Sequence, residues 1–336
     1  MVKVNLPILS NKIILNNLNR IMPQSFTYLE FDSNVEYEFL RNNFSKNSSF
    51  NLPVWKSEDN KSSEILIMIN GFLEGVGGDQ TRHEKLVDIR YGAIAKKLLK
   101  EKSITSVLLP LPFHFNRSFD VSGENEFAPL TRLTESGTYL YYGGFTQIVN
   151  DLEKLIQDIE NNPSRFGLQE NKPIKFHLLG YSIGGVAAIG AALNLKGETT
   201  PKLDSLSVLL SAWNLAEIKP NAIESAFGMK FGFNAELWES MLSQLEEIKD
   251  DTDPVFKKLI WNEGDPIEFK NCAKRVFFLH GFNDEIFTHS HTEATRQEVL
   301  DMMDKCTFIN LPTDHIAIRS TEEIAGYVST FICSGK

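Results

Sequence analysis

The chain has 336 residues, 42% of them hydrophobic and 23% charged, with a formal net charge of −10. These proportions are ordinary for a globular protein, and the length suits one large α/β domain carrying an insertion. The negative balance argues against nucleic acid as a partner, because Lys96, Lys97, Lys100 and Lys102 read as the solvated face of a helix rather than a basic patch. No apolar run approaches the ~20 residues of a membrane span, and residues 1–10 lack the apolar core and cleavage site of a signal peptide. Cys272, Cys306 and Cys333 are too few and too scattered for a disulfide framework or a metal cluster. Reduced thiols and a cytoplasmic location are therefore expected.

In chain order, Ile14, Leu18 and Ile21 stand at helical spacing between Asn11 and Met22. They predict an N-terminal helix that packs on the body or on a second copy of the chain. Val35–Phe39 and Leu52–Trp55 read as antiparallel edge strands, so residues 1–63 form a helix-and-edge-strand extension. Glu64–Ile69 is a continuous apolar run, as a central strand buried on both faces requires. A helix over Tyr91–Lys102 and a strand over Ile104–Leu109 follow. Phe145, Ile148, Leu152, Leu155 and Ile159 then form an apolar stripe at helical spacing.

Further strands are expected at Ile174–Leu179, Leu206–Leu210, Val276–Leu279 and Thr307–Leu311. A closing helix over Thr321–Ile332 is opened by Ser320 as N-cap, with Glu322 and Glu323 in its first turn. Such alternation predicts a mostly parallel sheet with helices on both faces. Two connections are longer than a crossover needs, Pro112–Gly137 and Leu215–Lys270. The second carries an amphipathic helix (Leu237, Trp238, Met241, Leu242, Leu245 and Ile248) and a shorter helix over Val255–Trp261. Both emerge at carboxyl ends of strands, where ligands bind in open α/β sheets. Residues 215–270 are thus expected to form a helical cap, inserted into a core of 64–214 and 271–336. Both connections should wall the substrate pocket, and the cap, like the N-terminal helix, offers a surface for a homodimer.

Gly180-Tyr181-Ser182-Ile183-Gly184 is the most informative stretch. The bare pattern arises by chance in roughly one chain in ten of this length. Here an apolar strand precedes it, and the small and aliphatic run Gly185–Leu193 follows as a helix. A serine at such a turn is held strained and exposed at a helix N-terminus. Its hydroxyl is a poor nucleophile unless a histidine accepts its proton and a carboxylate orients that histidine. Asp284, after the strand ending in Leu279-His280-Gly281, and His315, after the last strand, complete the order Ser…Asp…His. Asp314 is too close in sequence to His315 to face it, Ser211-Ala212-Trp213-Asn214 contains no carboxylate, and His280 precedes the turn and reads as structural.

With the elbow, His280-Gly281-Phe282-Asn283-Asp284 and Asp314-His315 in hand, the chain resembles the α/β-hydrolase superfamily from about Glu64 to its C-terminus. Asn70-Gly71-Phe72 is a fourth match, at the place where many members carry His-Gly. The resemblance implies an α/β-hydrolase fold, a Ser182–His315–Asp284 triad, and an oxyanion hole made by the backbone N–H groups of Phe72 and Ile183. Asn70 in place of histidine leaves the amide role intact while altering the loop around it.

Three further residues are candidates for substrate binding: His114, Arg117 and Trp213. Arg117 could clamp a substrate carboxylate through its planar fork, or pair with a local acid such as Asp120 or Glu124. No cofactor or metal is expected. Gly75-Val76-Gly77-Gly78 lacks the Lys-Ser/Thr ending of a phosphate loop, and His289 and His291 lack a third ligand. The expected function is hydrolysis of an ester or thioester of a small acyl compound through an acyl-enzyme. An acyltransferase, a carbon–carbon bond hydrolase or lyase, and a non-catalytic ligand-binding protein remain open alternatives.

Overall fold

The computed structural model describes residues 26–33, 49–57, 61–71, 74, 80–112, 114–117, 145–195, 203–211, 215, 218, 222, 235–265, 272–288, 293, 296–297, 299, 306–315 and 320–334. The expected N-terminal helix, the strand at Val35–Phe39, Phe72, Gly75–Gly78, Trp213 and the His289–His291 pair lie outside them. The strands are β1 (Thr27–Asp32), β2 (Ser49–Trp55), β3 (Glu64–Ile69), β4 (Thr105–Leu109), β5 (Lys175–Tyr181), β6 (Ser205–Leu209), β7 (Val276–Gly281) and β8 (Cys306–Leu311). The helices are α1 (Gln80–Lys102), α2 (Gln147–Asn161), α3 (Ile183–Asn194), α4 (Ala235–Glu247), α5 (Pro254–Trp261) and α6 (Thr321–Cys333).

All eight strands join one sheet in the order β1-β2-β4-β3-β5-β6-β7-β8. From β4 to β8 every neighbouring pair is parallel, whereas β1 on β2 and β2 on β4 are antiparallel. The expected mixed architecture is thus present, with its antiparallel part at one edge. β3 illustrates why its apolar run is continuous. Ile65, Ile67 and Ile69 face one buried cluster, which they share with α2, α3, α4 and α5. Leu66 and Met68 face the other, shared with α1 and α6. A strand covered by helices on both faces has no polar side to alternate with.

Helix α1 begins eleven residues before the expected start at Tyr91. Its buried face includes His83 and Arg90 alongside Val87 and Ile94, so polar residues interrupt the apolar stripe that would have marked its first half. Ser320 stands at the N-cap of α6 without a side-chain cap bond, and only Glu322 and Glu323 complement the helix start. Trp238, Met241 and Leu245 of α4 and Phe256 of α5 are buried in the cluster that contains α3. A Cβ on Gly190 of α3 would stand 2.2 Å from the Phe256 ring, so the glycine is what allows α5 to seat there.

The Arg117 side chain is fully buried and forms an ion pair with Asp151 of α2 at 2.8 Å. Its Nη1 also donates to the Pro110 carbonyl at 2.9 Å, and its guanidinium lies 4.1 Å over the Phe50 ring of β2. Asp151 further accepts hydrogen bonds from Ser33 and from Gln147. The expected substrate clamp is therefore corrected. Arg117 joins the β1–β2 extension, the turn after β4 and α2, and pairs with Asp151; Asp120 and Glu124 lie outside the described residues. An arginine with no solvent exposure, its Nη1 shared between Asp151 and the Pro110 carbonyl, is turned into the protein rather than toward a ligand. Removing one member of such a pair strands a charge in a dry interior. Arg117→Ala is expected to lower stability by about 3–5 kcal/mol, read as a lower urea midpoint at unchanged m-value. The double variant Arg117→Met/Asp151→Leu should recover most of that loss.

Candidate active site

Ser182 sits between β5 and α3 with φ 54 and ψ −127, a conformation that a non-glycine residue adopts only under constraint. The constraint is steric and covalent. The chain reverses so tightly that a Cβ on Gly180 would lie 2.2 Å from the Gly184 carbonyl oxygen. One on Gly184 would lie 2.1 Å from the carbonyl oxygen of Asn70, at the end of β3. The Ser182 amide donates to Leu209 at 2.8 Å, and its carbonyl accepts from Gly185 at 2.8 Å, which pins the turn to β6 and to the first turn of α3.

His315 and Asp284 reach Ser182 from the two strands farther along. Ser182 Oγ lies 2.7 Å from His315 Nε2. His315 Nδ1 lies 2.9 Å from Asp284 Oδ2. A carboxylate can only accept, so Nδ1 carries the proton and Nε2 of the neutral ring accepts from the serine hydroxyl. The other carboxylate oxygen, Oδ1, accepts from the amides of Ile286 at 2.9 Å and Phe287 at 2.8 Å. The Asp284 turn is tied to the loop after β8 by Phe282 N–H to Leu311 and Asn283 N–H to Thr313, at 2.8 and 3.1 Å. The side chain of Tyr181 donates to the His315 carbonyl at 2.9 Å, and the Phe287 ring lies 5.5 Å from the imidazole. All three side chains are buried, Ser182 at 8% exposure and His315 and Asp284 at 6% each. Asp314 is exposed, and the carboxylate on His315 is that of Asp284.

Ile183 opens α3, so its amide is among those a helix start leaves without an intrahelical acceptor. Asn70 is fully buried; its Nδ2 donates to the Gly71 carbonyl at 2.7 Å and its Oδ1 accepts from Leu111 N–H at 2.7 Å. It therefore laces the loop after β3 to the loop after β4. His280 lies beside the stacked Phe278 and Phe308 rings, 6.0 and 6.1 Å from their centroids, and takes no part in the Ser182 line. His114 is buried with Nδ1 donating to the Pro112 carbonyl at 2.8 Å. Among the described residues no group of three His, Cys, Asp or Glu could hold a metal ion, and no helix is long and apolar enough to cross a membrane.

No protein-family model and no curated protein sequence matches this chain. Solved structures do. An esterase from Pyrococcus furiosus superposes with a TM-score of 0.52 at 12% identity, covering 93% of each chain. Carboxyl esterase 2 from the mycorrhizal fungus Tuber melanosporum gives 0.56 at 14% identity, covering 93% of this chain and 86% of the esterase. The chain has the α/β-hydrolase fold.

Within an α/β-hydrolase fold, the elements that sequence reasoning passed over are Glu74, Arg90 and Tyr91. They cluster beside the elbow: Glu74 accepts from Arg90 and from the Tyr91 hydroxyl, and Arg90 lies over the Tyr181 ring. One signal was available. Arg90 falls three residues after Val87 and four before Ile94, the register of the buried face, where an unpartnered charge is not tolerated.

Burial lowers the His114 pKa to about 4. Because the folded value lies below the unfolded one near 6.5, His114 contributes stability that is full above that pH. The contribution is lost as the pH falls toward 4, where only the unfolded chain takes up the proton. The wild type should lose on the order of 3 kcal/mol across that window from this residue. His114→Asn, which retains a donor for Pro112, should flatten the corresponding part of the pH–stability curve measured by urea unfolding.

Proposed function

We propose that the chain is a serine hydrolase of carboxylic esters or thioesters, with Ser182 as nucleophile, His315 as general base and acid, and Asp284 as the group that orients His315. The observation that carries this reading is the unbroken line from Ser182 Oγ to His315 Nε2, and from His315 Nδ1 to Asp284, at a strained strand-to-helix turn. The esterase names among the fold's neighbours support the substrate class at 12–14% identity.

In the proposed reaction His315 Nε2 takes the Ser182 proton as Oγ attacks the acyl carbonyl. The amides of Ile183 and Phe72 receive the developing oxyanion, a contribution of about 3–4 kcal/mol per donor in comparable sites. The imidazolium, held by Asp284, then passes its proton to the departing alkoxide or thiolate. Water, deprotonated by the same Nε2, attacks the acyl-enzyme and releases the acid. Residues 112–137 and 215–270 would wall the pocket, with Trp213 and His114 as its nearest candidates in sequence. A cytoplasmic location is part of the same proposal, and the three cysteines are free thiols.

A fluorophosphonate probe tests the nucleophile directly, since Oγ–P bond formation expels fluoride only from an activated serine. Wild type should label and Ser182→Ala should not. Turnover of p-nitrophenyl esters should fall on the order of 10⁶-fold in Ser182→Ala and about 10⁴-fold in Asp284→Asn, which leaves the imidazole in the wrong tautomer. A folded wild type that neither labels nor turns over esters, thioesters or amides would transfer the reading to ligand binding or to a lyase. Transfer to an added alcohol or thiol in preference to water would make it an acyltransferase.

A further inference from the structure

Resting on the hydrolase reading, we propose that Glu74, Arg90 and Tyr181 are positioning residues that fix the oxyanion loop and the His315 loop to one anchor on α1. The connections are explicit. Gly71 lies beyond the last ladder pair of β3, and its amide donates to Glu74 Oε2 at 3.1 Å. That oxygen also accepts from the Tyr91 hydroxyl, while Oε1 accepts from Arg90 Nη1. The Arg90 guanidinium carbon lies 4.5 Å above the Tyr181 ring, whose hydroxyl donates to the His315 carbonyl at 2.9 Å. Glu74, Arg90, Tyr91 and Tyr181 are all buried.

Three features make this cluster more than a stabilising ion pair. First, it touches each of the segments to which the mechanism assigns a role: the residue before Phe72, the residue before Ser182, and His315 itself. Its fixed end, α1, contributes no reacting group and packs along α6 on the far side. Second, the tolerance is small. A Cβ on Gly71 would stand 3.2 Å from Ser182 Cβ, so a shift of the Gly71 backbone is at once a shift relative to the nucleophile. Third, the chemistry of the cluster is self-consistent. The Gly71 amide is shared between Glu74 Oε2 and the Tyr91 hydroxyl, at 3.1 and 3.3 Å, so both cluster members hold the same backbone group, and hydrogen bonds to a charged carboxylate are the stronger kind. Burial raises the Tyr181 pKa to about 12, so its hydroxyl keeps the proton it donates to His315.

The test is the kinetics of fluorophosphonate labelling in the full-length chain, with kinact and KI resolved. Tyr181→Phe deletes one hydroxyl and keeps the ring beneath Arg90, so it should fold, with its melting temperature lowered by only a few degrees for the buried hydrogen bond lost. Its kinact should fall about 10- to 100-fold, the usual consequence of misplacing reacting groups by a fraction of an ångström to an ångström, with KI within twofold. Glu74→Gln should lose kinact to a similar degree with KI within twofold, but at a lower melting temperature, because Arg90 is left without its counter-charge. The Tyr181→Phe/Glu74→Gln double variant should lose less than the product of the single losses, because both act on one unit. Arg90→Lys should retain more of kinact than Arg90→Met. If wild type labels at Ser182 while folded Tyr181→Phe and Glu74→Gln label at the wild-type rate, or change only KI, the positioning role is overturned and the hydrolase reading stands. If wild type itself does not label, the hydrolase reading falls first.

Discussion

The structure depends on how closely β5 and α3 pass the end of β3. The carbonyl of Asn70 abuts Gly184, and the Gly184 carbonyl abuts Gly180, at separations that leave no room for a side chain. This close approach forces Ser182 into a positive φ and turns its hydroxyl out of the sheet edge. It also places the start of α3 against the start of the loop after β3. Ser182 is held at this turn because two glycines permit backbone to meet backbone. The strain at Ser182 is stored locally and held by hydrogen bonds to β6 and α3.

Around that point the sheet acts as a ruler. β5, β6, β7 and β8 are parallel and in register, so the loops that follow β5, β7 and β8 open on one edge. Asp284 and His315 need only short turns to reach Ser182, and cross-loop bonds from Phe282 and Asn283 keep those turns in step. Asp284 illustrates how little freedom remains. One oxygen faces His315, and the other is satisfied by two backbone amides of its own turn. Its orientation is thereby set by the backbone of its own turn.

Two buried ion pairs organise the remainder, and they differ in what they join. Arg117–Asp151 binds the antiparallel edge and α2 into the body, away from solvent. Arg90–Glu74 lies under the elbow and connects α1 to the loops on either side of it. In each pair one member, Asp151 of α2 or Arg90 of α1, occupies a position that helical periodicity would assign to an apolar residue. A sequence pattern cannot distinguish a misplaced charge from one with a buried partner, and the partners here are separated by 34 and 16 residues.

The elbow, the alternation of strands and helices, and the Ser…Asp…His order were legible because each is local. Glycine spacing, β-branched and aliphatic runs, and residues placed just beyond strands follow from backbone geometry within a few residues. β1 and the first half of α1 were not legible. β1 is an edge strand in which only Phe31 is fully buried, with Tyr28 and Leu29 half-buried, and the α1 start carries polar residues on its buried face. Arg117 was legible as a residue that could pair with an acid of the protein, but Asp151 was not legible as that acid, because it lies on another helix. The sequence by itself thus determined the elements, their alternation and the chemical identity of the three residues at Ser182, Asp284 and His315. Only the tertiary structure decided which charges are paired and which side chains meet. Those outcomes depend on strand order and on distances between residues far apart in the chain, where hydrogen bonds and desolvation act through space rather than along the backbone.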